Sequence, residues 1–584
     1  MKQCVFTAQI ALGLLAMSLS PASHAKGQPS PAQNIERDKD AFEASKKRSG
    51  SRVFNQSREF RSFDGSGNNL SDPAAGAAFE QLLRLAPNDY ADGISEMAGA
   101  TRAGGREISN LVVDQDDQSF PNLFDTSDYL WQWGQFIDHD VALGDAVKSN
   151  DRSHDIVVPI GDPDFDPFRT GEVRIRFDRA LFDDATGTDL ENPREQLNEI
   201  TSWIDGSMVY GSSADRAAAL RANDGTGRLK TSPGDLLPLN SELLPNANEG
   251  PIDPAELFVA GDVRSNEQIG LTVMHTLFVR EHNRWADQIK RMRPWYSGDD
   301  IYFAARRMVI AEIQIITYNE FLPALIGEDA MPPYRGYREG NPGLFTEFSG
   351  AAYRLGHTLI NEKLLRIDGD GHEVADGHLE LRDAFFNAPI LLTSRNDIDP
   401  VLRGLAAQKS QAFDNMIVDD LRNFLFGPPG AGGFDLAALN IQRGRDRGLP
   451  SYNDVREALG LERATDFSDI SSNVSVSEKL AMAYADVDDI DLWVGGVSED
   501  SLPGEGSQLG ETFRAIVVHQ FTALRDFDRF WWERDLTRPE KAMIKHVRLS
   551  DIIVANTDIR RREIPKNVFY VSNASPERRH KKGR

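Results

Sequence analysis

From about Ala77 onward, apolar residues recur every three or four positions, as in AAFEQLLRLA, YLWQWGQFIDHDVAL, LTVMHTLFVREHNRWADQIKRM and YFAARRMVIAEIQIITYNEFLPALI. That spacing lets a helix bury one face, whereas a half-buried strand alternates every two residues. The chain is therefore expected to be mainly α. Strand-like pieces such as IVVPIG and VRIRFD are few and short, and loops rich in Gly, Pro and Asp, such as GDPDFDPFRTG, separate the elements. There is no internal repeat and no dividing linker, so one large helical domain is expected over residues 76–572. GREISN, DGDG and the sequons at Asn55, Asn69 and Asn473 read as loops.

With 584 residues, 40% hydrophobic and 27% charged, the composition is that of a folded protein with a sizeable core. A formal charge of −25 repels nucleic acid and anionic lipid, so no nucleic-acid partner is expected. The first residues carry Lys2, an apolar run from Val5 to Leu19, and small residues at Ser23 and Ala25 before Lys26. This pattern predicts a signal peptide over residues 1–25. The run is shorter than the ~20 residues a membrane-spanning helix needs, and no later segment reads as long and apolar enough to span. Secretion, to a bacterial envelope or exterior, is the expected destination. Cys4, the only cysteine, falls inside that signal, so the mature chain must be held by its core, a metal or a cofactor instead of disulfides. Residues 26–75 read as an extended polar arm and 573–584 as a solvated basic tail. A monomer is expected.

Several spacings carry chemistry. Gln135 and His139 are four apart and share a helical face, with Asp138 and Asp140 flanking the histidine. A histidine so placed can move protons, although a histidine in an aromatic helix is ordinarily a core residue. Arg264 and Glu267 are three apart, as an intrahelical ion pair would be, and such pairs contribute little. Arg354 precedes His357 by three, and Asn440 precedes Arg443 by three. In TSWIDGS, oxygen donors at Thr201, Trp203 (carbonyl), Asp205 and Ser207 come at every second residue, a spacing that lets a loop surround a hard cation such as Ca²⁺. His275 and His282, seven apart, fit one buried stripe of a long helix better than a metal pair. His372, His378, His519 and His546 form no pattern.

Taken together and in order, these segments resemble the animal haem peroxidases of the peroxidase–cyclooxygenase superfamily over roughly residues 75–570. TSWIDGSMVYGSS, LWVGGVSED and FWWERD carry the same resemblance. It implies that His357 binds the haem iron and that Asn440 accepts from its other ring N–H, while Arg354 and Arg443 contact the haem propionates. It implies that His139 takes a proton from hydrogen peroxide and returns it to the departing oxygen while Arg264 stabilises negative charge, leaving a ferryl haem. Gln135 matches the residue near the halide position. Asp138 and Glu267 match carboxylates that form esters to haem methyl groups, so the cofactor is expected to be a haem b derivative held by two esters. Asp140 would complete the Ca²⁺ site. Gln268 stands where one family member has a methionine bonded to haem, so that third bond cannot form and chloride is the least expected donor. The resemblance therefore implies a peroxidase that oxidises iodide, bromide, thiocyanate or small aromatic donors.

Two alternatives belong beside it. A fatty-acid dioxygenase of the superfamily uses a tyrosine three residues before the proximal histidine. Here that place is Arg354, and the neighbouring Tyr353 is expected to point elsewhere. A non-catalytic, calcium-stabilised adhesion protein should have lost some of Gln135, His139, Arg264, His357 and Asn440, and all five are present.

Overall fold

The computed structural model describes residues 59–116, 118–144 and 147–571. The expected signal peptide with Cys4, the first part of the arm with Asn55, and the tail lie outside the described residues. Helices predominate: Tyr129–Val141, Ile269–Met292, Gly298–Ile316, Leu436–Asp446 and Glu511–Asp526 are the longest. The strands form three two-residue antiparallel pairs, and IVVPIG and VRIRFD supply one of them through Ile156–Val157 and Arg174–Ile175. The mainly α, single-domain expectation holds.

The longest helix, Ile269–Met292, starts where the Gln268 side chain accepts from the Gly270 N–H and ends in a turn carrying Lys290 and Arg291. Both caps complement the helix dipole or its free N–H groups. His275 and His282 are fully buried on it, as one stripe. Ser297 and Asp300 close a capping box at the start of Gly298–Ile316, which packs on the longest helix. A π-helical turn, Thr317–Phe321, carries that helix on to Ile326. By length and composition the Gly298–Ile326 run could cross a membrane, which corrects the expectation that no later segment is apolar enough. The run is mostly buried inside the protein, as a core helix is.

Two local readings are overturned. AAFEQLLRLA is extended, because other segments take its backbone N–H groups. Leu82 donates to the Gln196 carbonyl (2.9 Å), Leu83 to the Leu344 carbonyl (2.8 Å), and Leu85 and Ala86 to the Glu347 carboxylate (both 3.1 Å). Conversely, GREISN is helical, through Gly105–Ile108 and the π-helical turn Ser109–Val113. It docks on the Leu436–Asp446 helix, and a Cβ at Gly105 would sit 3.0 Å from the Ala438 carbonyl. Arg106 is fully buried there, paired with Asp162 (2.7 Å) and Asp435 (2.8 Å).

The helix Tyr129–Val141 is held at its start by distant chain. The Ser127 N–H donates to the Phe569 carbonyl (2.9 Å) and its hydroxyl to the Val568 carbonyl, and the Asp128 N–H donates to the Gln408 carbonyl (3.0 Å). Trp133 packs among Phe136, Phe278 and Phe569, with ring centroids 5.7, 5.7 and 6.2 Å away.

Arg106→Met strands two buried carboxylates, and breaking a buried pair in this way costs roughly 3–5 kcal/mol. Urea denaturation should show that loss, and an unchanged midpoint would mean that the Asp162–Arg106–Asp435 network contributes nothing.

Candidate active site

A cavity of about 680 Å³ lies between the Tyr129–Val141 helix and the 3₁₀ helix Ala352–Leu359. Gln135, Asp138, His139, Arg264, Glu267, Arg354, His357 and Arg443 all line it. Eight expected residues, drawn from four separate segments, thus meet in one space.

The 3₁₀ helix has three residues per turn, so Arg354 and His357 fall on the same edge; its eight residues make it long for its type. The His357 Nδ1 lies 2.9 Å from the side-chain amide of Asn440, which is fully buried with its Oδ1 unpartnered. With the amide turned about, Oδ1 accepts from Nδ1–H, which fixes the tautomer and leaves the Nε2 lone pair available. Burial, then the charges of Arg354 and Arg443, hold His357 well below the usual histidine range. The imidazole is therefore neutral, the form that binds a metal.

Arg447 joins Arg354 and Arg443 in the cavity wall. It is buried, its Nη1 donates to the Ser349 hydroxyl (3.1 Å), and its Nε has no partner. Burial, then the charge of Arg354, push it down to about 10. Sequence reasoning passed over this residue, whose signal is its four-residue spacing from Arg443 in QRGRDRG.

His139 is buried, with Nδ1 3.5 Å from Asp262 Oδ1. Asp262, also missed from sequence, accepts from the Arg264 backbone N–H (2.8 Å), Nε (2.9 Å) and Nη2 (2.8 Å). The Asp-x-Arg spacing is the signal that could have found it. Burial alone would raise the Asp262 carboxyl, but the Arg264 guanidinium and then His139 hold it well below the carboxylate range. Arg264 also donates to the Ala142 carbonyl (2.9 Å) and lies 3.6 Å from Asp138. Burial, then Arg264, hold His139 well below 6.5, so it is neutral and able to accept a proton.

Burial pushes Asp138 up against the opposing charges of Arg354 and Arg264, and pushes Glu267 up to about 7 against Arg264. Gln135 donates to Glu267 (3.1 Å) and accepts from Gln268 (3.0 Å), whose amide also donates to Gln132 (2.8 Å). Gln268 thus caps the longest helix and braces Gln135. The cavity has an apolar arm lined by Phe385, Phe386, Phe426 and Phe434, with Phe426 5.2, 5.2 and 6.5 Å from the other three. The Phe386 N–H donates to the Glu267 carbonyl (3.2 Å), tying that arm to the polar end. Tyr353 corrects an expectation: it lines the cavity, with its hydroxyl buried and unpartnered.

Asp140, Thr201, Trp203, Asp205 and Ser207 gather outside the cavity, all buried. The Ser207 hydroxyl is 2.8 Å from the Asp140 carbonyl and 3.0 Å from its carboxylate, and the Thr201 hydroxyl is 3.2 Å from Asp205. Burial raises both acids, and Asp205 raises Asp140 further.

A neutral imidazole backed by an amide, three guanidiniums in the wall and two buried carboxyls fit a haem, whose iron needs a ligand and whose propionates need cations. The comparisons agree. The family model for animal haem peroxidase matches residues 60–569, and the chain belongs to that family. Peroxinectin A of Dictyostelium discoideum is 36% identical over 503 residues, covering 84% of this chain and 91% of that protein. The human peroxidasin homolog is 36% identical over 86% of this chain, and Drosophila melanogaster dual oxidase 35% over 90%. This chain spans only 37% and 35% of those two proteins. Among solved structures, peroxidase A from Dictyostelium discoideum superposes with a TM-score of 0.82 at 33% identity, covering 88% of this chain and all of that one. An Arabidopsis thaliana fatty acid alpha-dioxygenase shares the fold, with a TM-score of 0.74 at 20% identity over 90% of this chain and 85% of that one.

Asp262→Asn should leave the chain folded but free Arg264 to move. Losing a supporting partner of this kind lowers activity about 10–100-fold, readable as the rate of reaction with peroxide in stopped flow. An unchanged rate would show that Arg264 needs no anchor.

Proposed function

We propose that this protein is an exported peroxidase that reduces hydrogen peroxide and oxidises iodide, bromide, thiocyanate or small phenols. The observation that carries the reading is the convergence of neutral His139, Asp262-anchored Arg264 and amide-backed His357 on one cavity. His357 would bind the haem iron, and Arg354, Arg443 and Arg447 its propionates; haem, when bound, supplies the two-electron redox chemistry. His139 accepts a proton from the peroxide oxygen and returns it to the oxygen that departs. Arg264 meets the negative charge that develops as the O–O bond lengthens, and because Asp262 holds it, it need not reorganise to do so.

General acid–base help of this kind is worth 10²–10⁴-fold, so His139→Ala should lose about that much of the peroxide reaction while keeping its Soret band. Full iodide and bromide turnover in that variant would remove His139 from the mechanism. A histidine held well below 6.5 stays neutral until the pH falls beneath its lowered value. The peroxide reaction should therefore hold its rate from pH 8 through 6.5 and fall only in stronger acid, and a midpoint at 6.5 would contradict a buried, neutral base.

Gln135, braced by Glu267 and Gln268, would organise water and a small anion. The amide at Gln268 cannot form the electron-withdrawing sulfonium a methionine would, which disfavours chloride. The apolar arm suits phenols. Asp138 and Glu267, which both line the cavity, would form two haem esters, and peptides carrying haem at both residues should appear in tryptic mass spectra. Arg354 at the place of the oxygenase tyrosine argues against a fatty-acid dioxygenase, and the complete site argues against a purely adhesive role.

Asp140, Thr201, the Trp203 carbonyl, Asp205 and Ser207 would hold Ca²⁺ directly behind His139. Two buried acids that resist ionisation gain most from a cation when the pH would otherwise charge them. The rise in Tm on adding Ca²⁺ over a chelator should thus be larger at pH 8 than at pH 5.5, and no rise at either pH would eliminate the site.

A further inference from the structure

Tyr353 is buried in the cavity wall with its hydroxyl unpartnered, a position the peroxide chemistry above leaves unused. Its ring stacks on Phe348 (4.6 Å between centroids) and lies 5.7 Å from Phe521. Phe521 is 6.0 Å from Tyr318, which is 4.8 Å from Trp531. Trp531 in turn lies 5.9 Å from Tyr334 and 6.4 Å from Trp532, both only partly buried. Every step is within aromatic contact distance.

Packing alone explains most aromatic clusters, such as the all-phenylalanine Phe385–Phe386–Phe426–Phe434 arm, and Tyr210 and Tyr302 form a second tyrosine-bearing group, with His282, that does not reach the cavity. The chain has 31 Phe against 12 Tyr and 8 Trp, yet this line is built from Tyr353, Tyr318, Trp531, Trp532 and Tyr334 with Phe521 between the first two. Tyrosine and tryptophan can each lose one electron; phenylalanine does so far less readily. The phenols of Tyr353 and Tyr318 also lie close enough to feel each other's charge. Arg525 sits over both Tyr318 and Tyr334 (5.8 and 5.7 Å), with its charge balanced by Asp526 (2.8 Å).

We infer that Tyr353, Tyr318 and Trp531 form an electron relay from the cavity to Trp532 and Tyr334, where the protein oxidises phenolic donors too large to enter. The inference rests on the peroxidase reading of the cavity. Hydrogen peroxide takes up two electrons and two protons to give two waters. Each electron crosses the relay from one donor phenol, which also releases its O–H proton, so two phenols become two phenoxyl radicals for each peroxide consumed. The Tyr353 hydroxyl is buried with no acceptor, so it keeps its proton: the hole passes its ring as a short-lived radical cation and Tyr318 refills it.

The test uses the haem-loaded protein with two donors: iodide, which enters the cavity, and a phenol coupled to dextran, which cannot. Trp531→Phe and Tyr318→Phe should lower oxidation of the dextran phenol about tenfold and leave iodide oxidation close to wild type. Wild type treated with peroxide alone should show a tyrosyl or tryptophanyl radical by electron paramagnetic resonance, and a spin trap should mark Trp532 or Tyr334 in peptide mass spectra. Tyr353→Phe should abolish that surface label. Unaltered dextran-phenol rates in both relay variants, or no surface label in a wild type that turns over iodide, would overturn the relay and leave the peroxidase reading standing. Failure of wild type to oxidise iodide would overturn both.

Discussion

The His139 side of the cavity depends on one carboxylate, Asp262, that remains ionised although it is buried. Asp262 can do so because Arg264 offers it two side-chain N–H groups and a backbone N–H, and the half-buried Arg264 takes its main anion from Asp262. The pair therefore fixes where the guanidinium points and supplies His139 with a neighbour for its Nδ1. The same turn leads through Glu267 into Gln268, so the start of the longest helix, the brace on Gln135 and the position of Glu267 all follow from that anchored loop.

Charge around the cavity is unevenly shared. Burial, then the charge of Arg354, drives Arg447 down to about 10, while burial makes Asp138 and Glu267 resist ionisation. In the protein alone this is an electrostatic fault. Under the proposed function it would serve to recognise a cofactor that carries acidic side chains, and burial with the charges of Arg354 and Arg443 keeps His357 neutral.

The candidate site residues were legible through the family resemblance, carried over segment by segment; their spacings, Gln135 from His139, Arg354 from His357 and Asn440 from Arg443, would have been unremarkable alone. What escaped was set by tertiary contact. Asp262 has no helical partner and acts through a turn. Arg447 was hidden by three arginines at alternate positions, only two of which share a face. Tyr353 stands one position from the place the resemblance gives an oxygenase tyrosine, yet the 3₁₀ segment turns it to the cavity wall. AAFEQLLRLA has a helical pattern but surrenders its N–H groups to Gln196, Leu344 and Glu347, and GREISN looks like a loop until Arg106 finds two buried carboxylates. The apolar Gly298–Ile326 run shows that a core helix in a large domain can equal a membrane span in length and composition.

The Ser127 clasp ties the helix bearing His139 to Val568 and Phe569, 441 residues away in the case of Val568. During synthesis, chain emerges from the N-terminus, and contacts of such long range close last. The helix that carries His139 is thus without its final fastening until nearly the whole domain has left the ribosome. The placement of His139 is in this way a property of the finished domain and of no shorter piece of it.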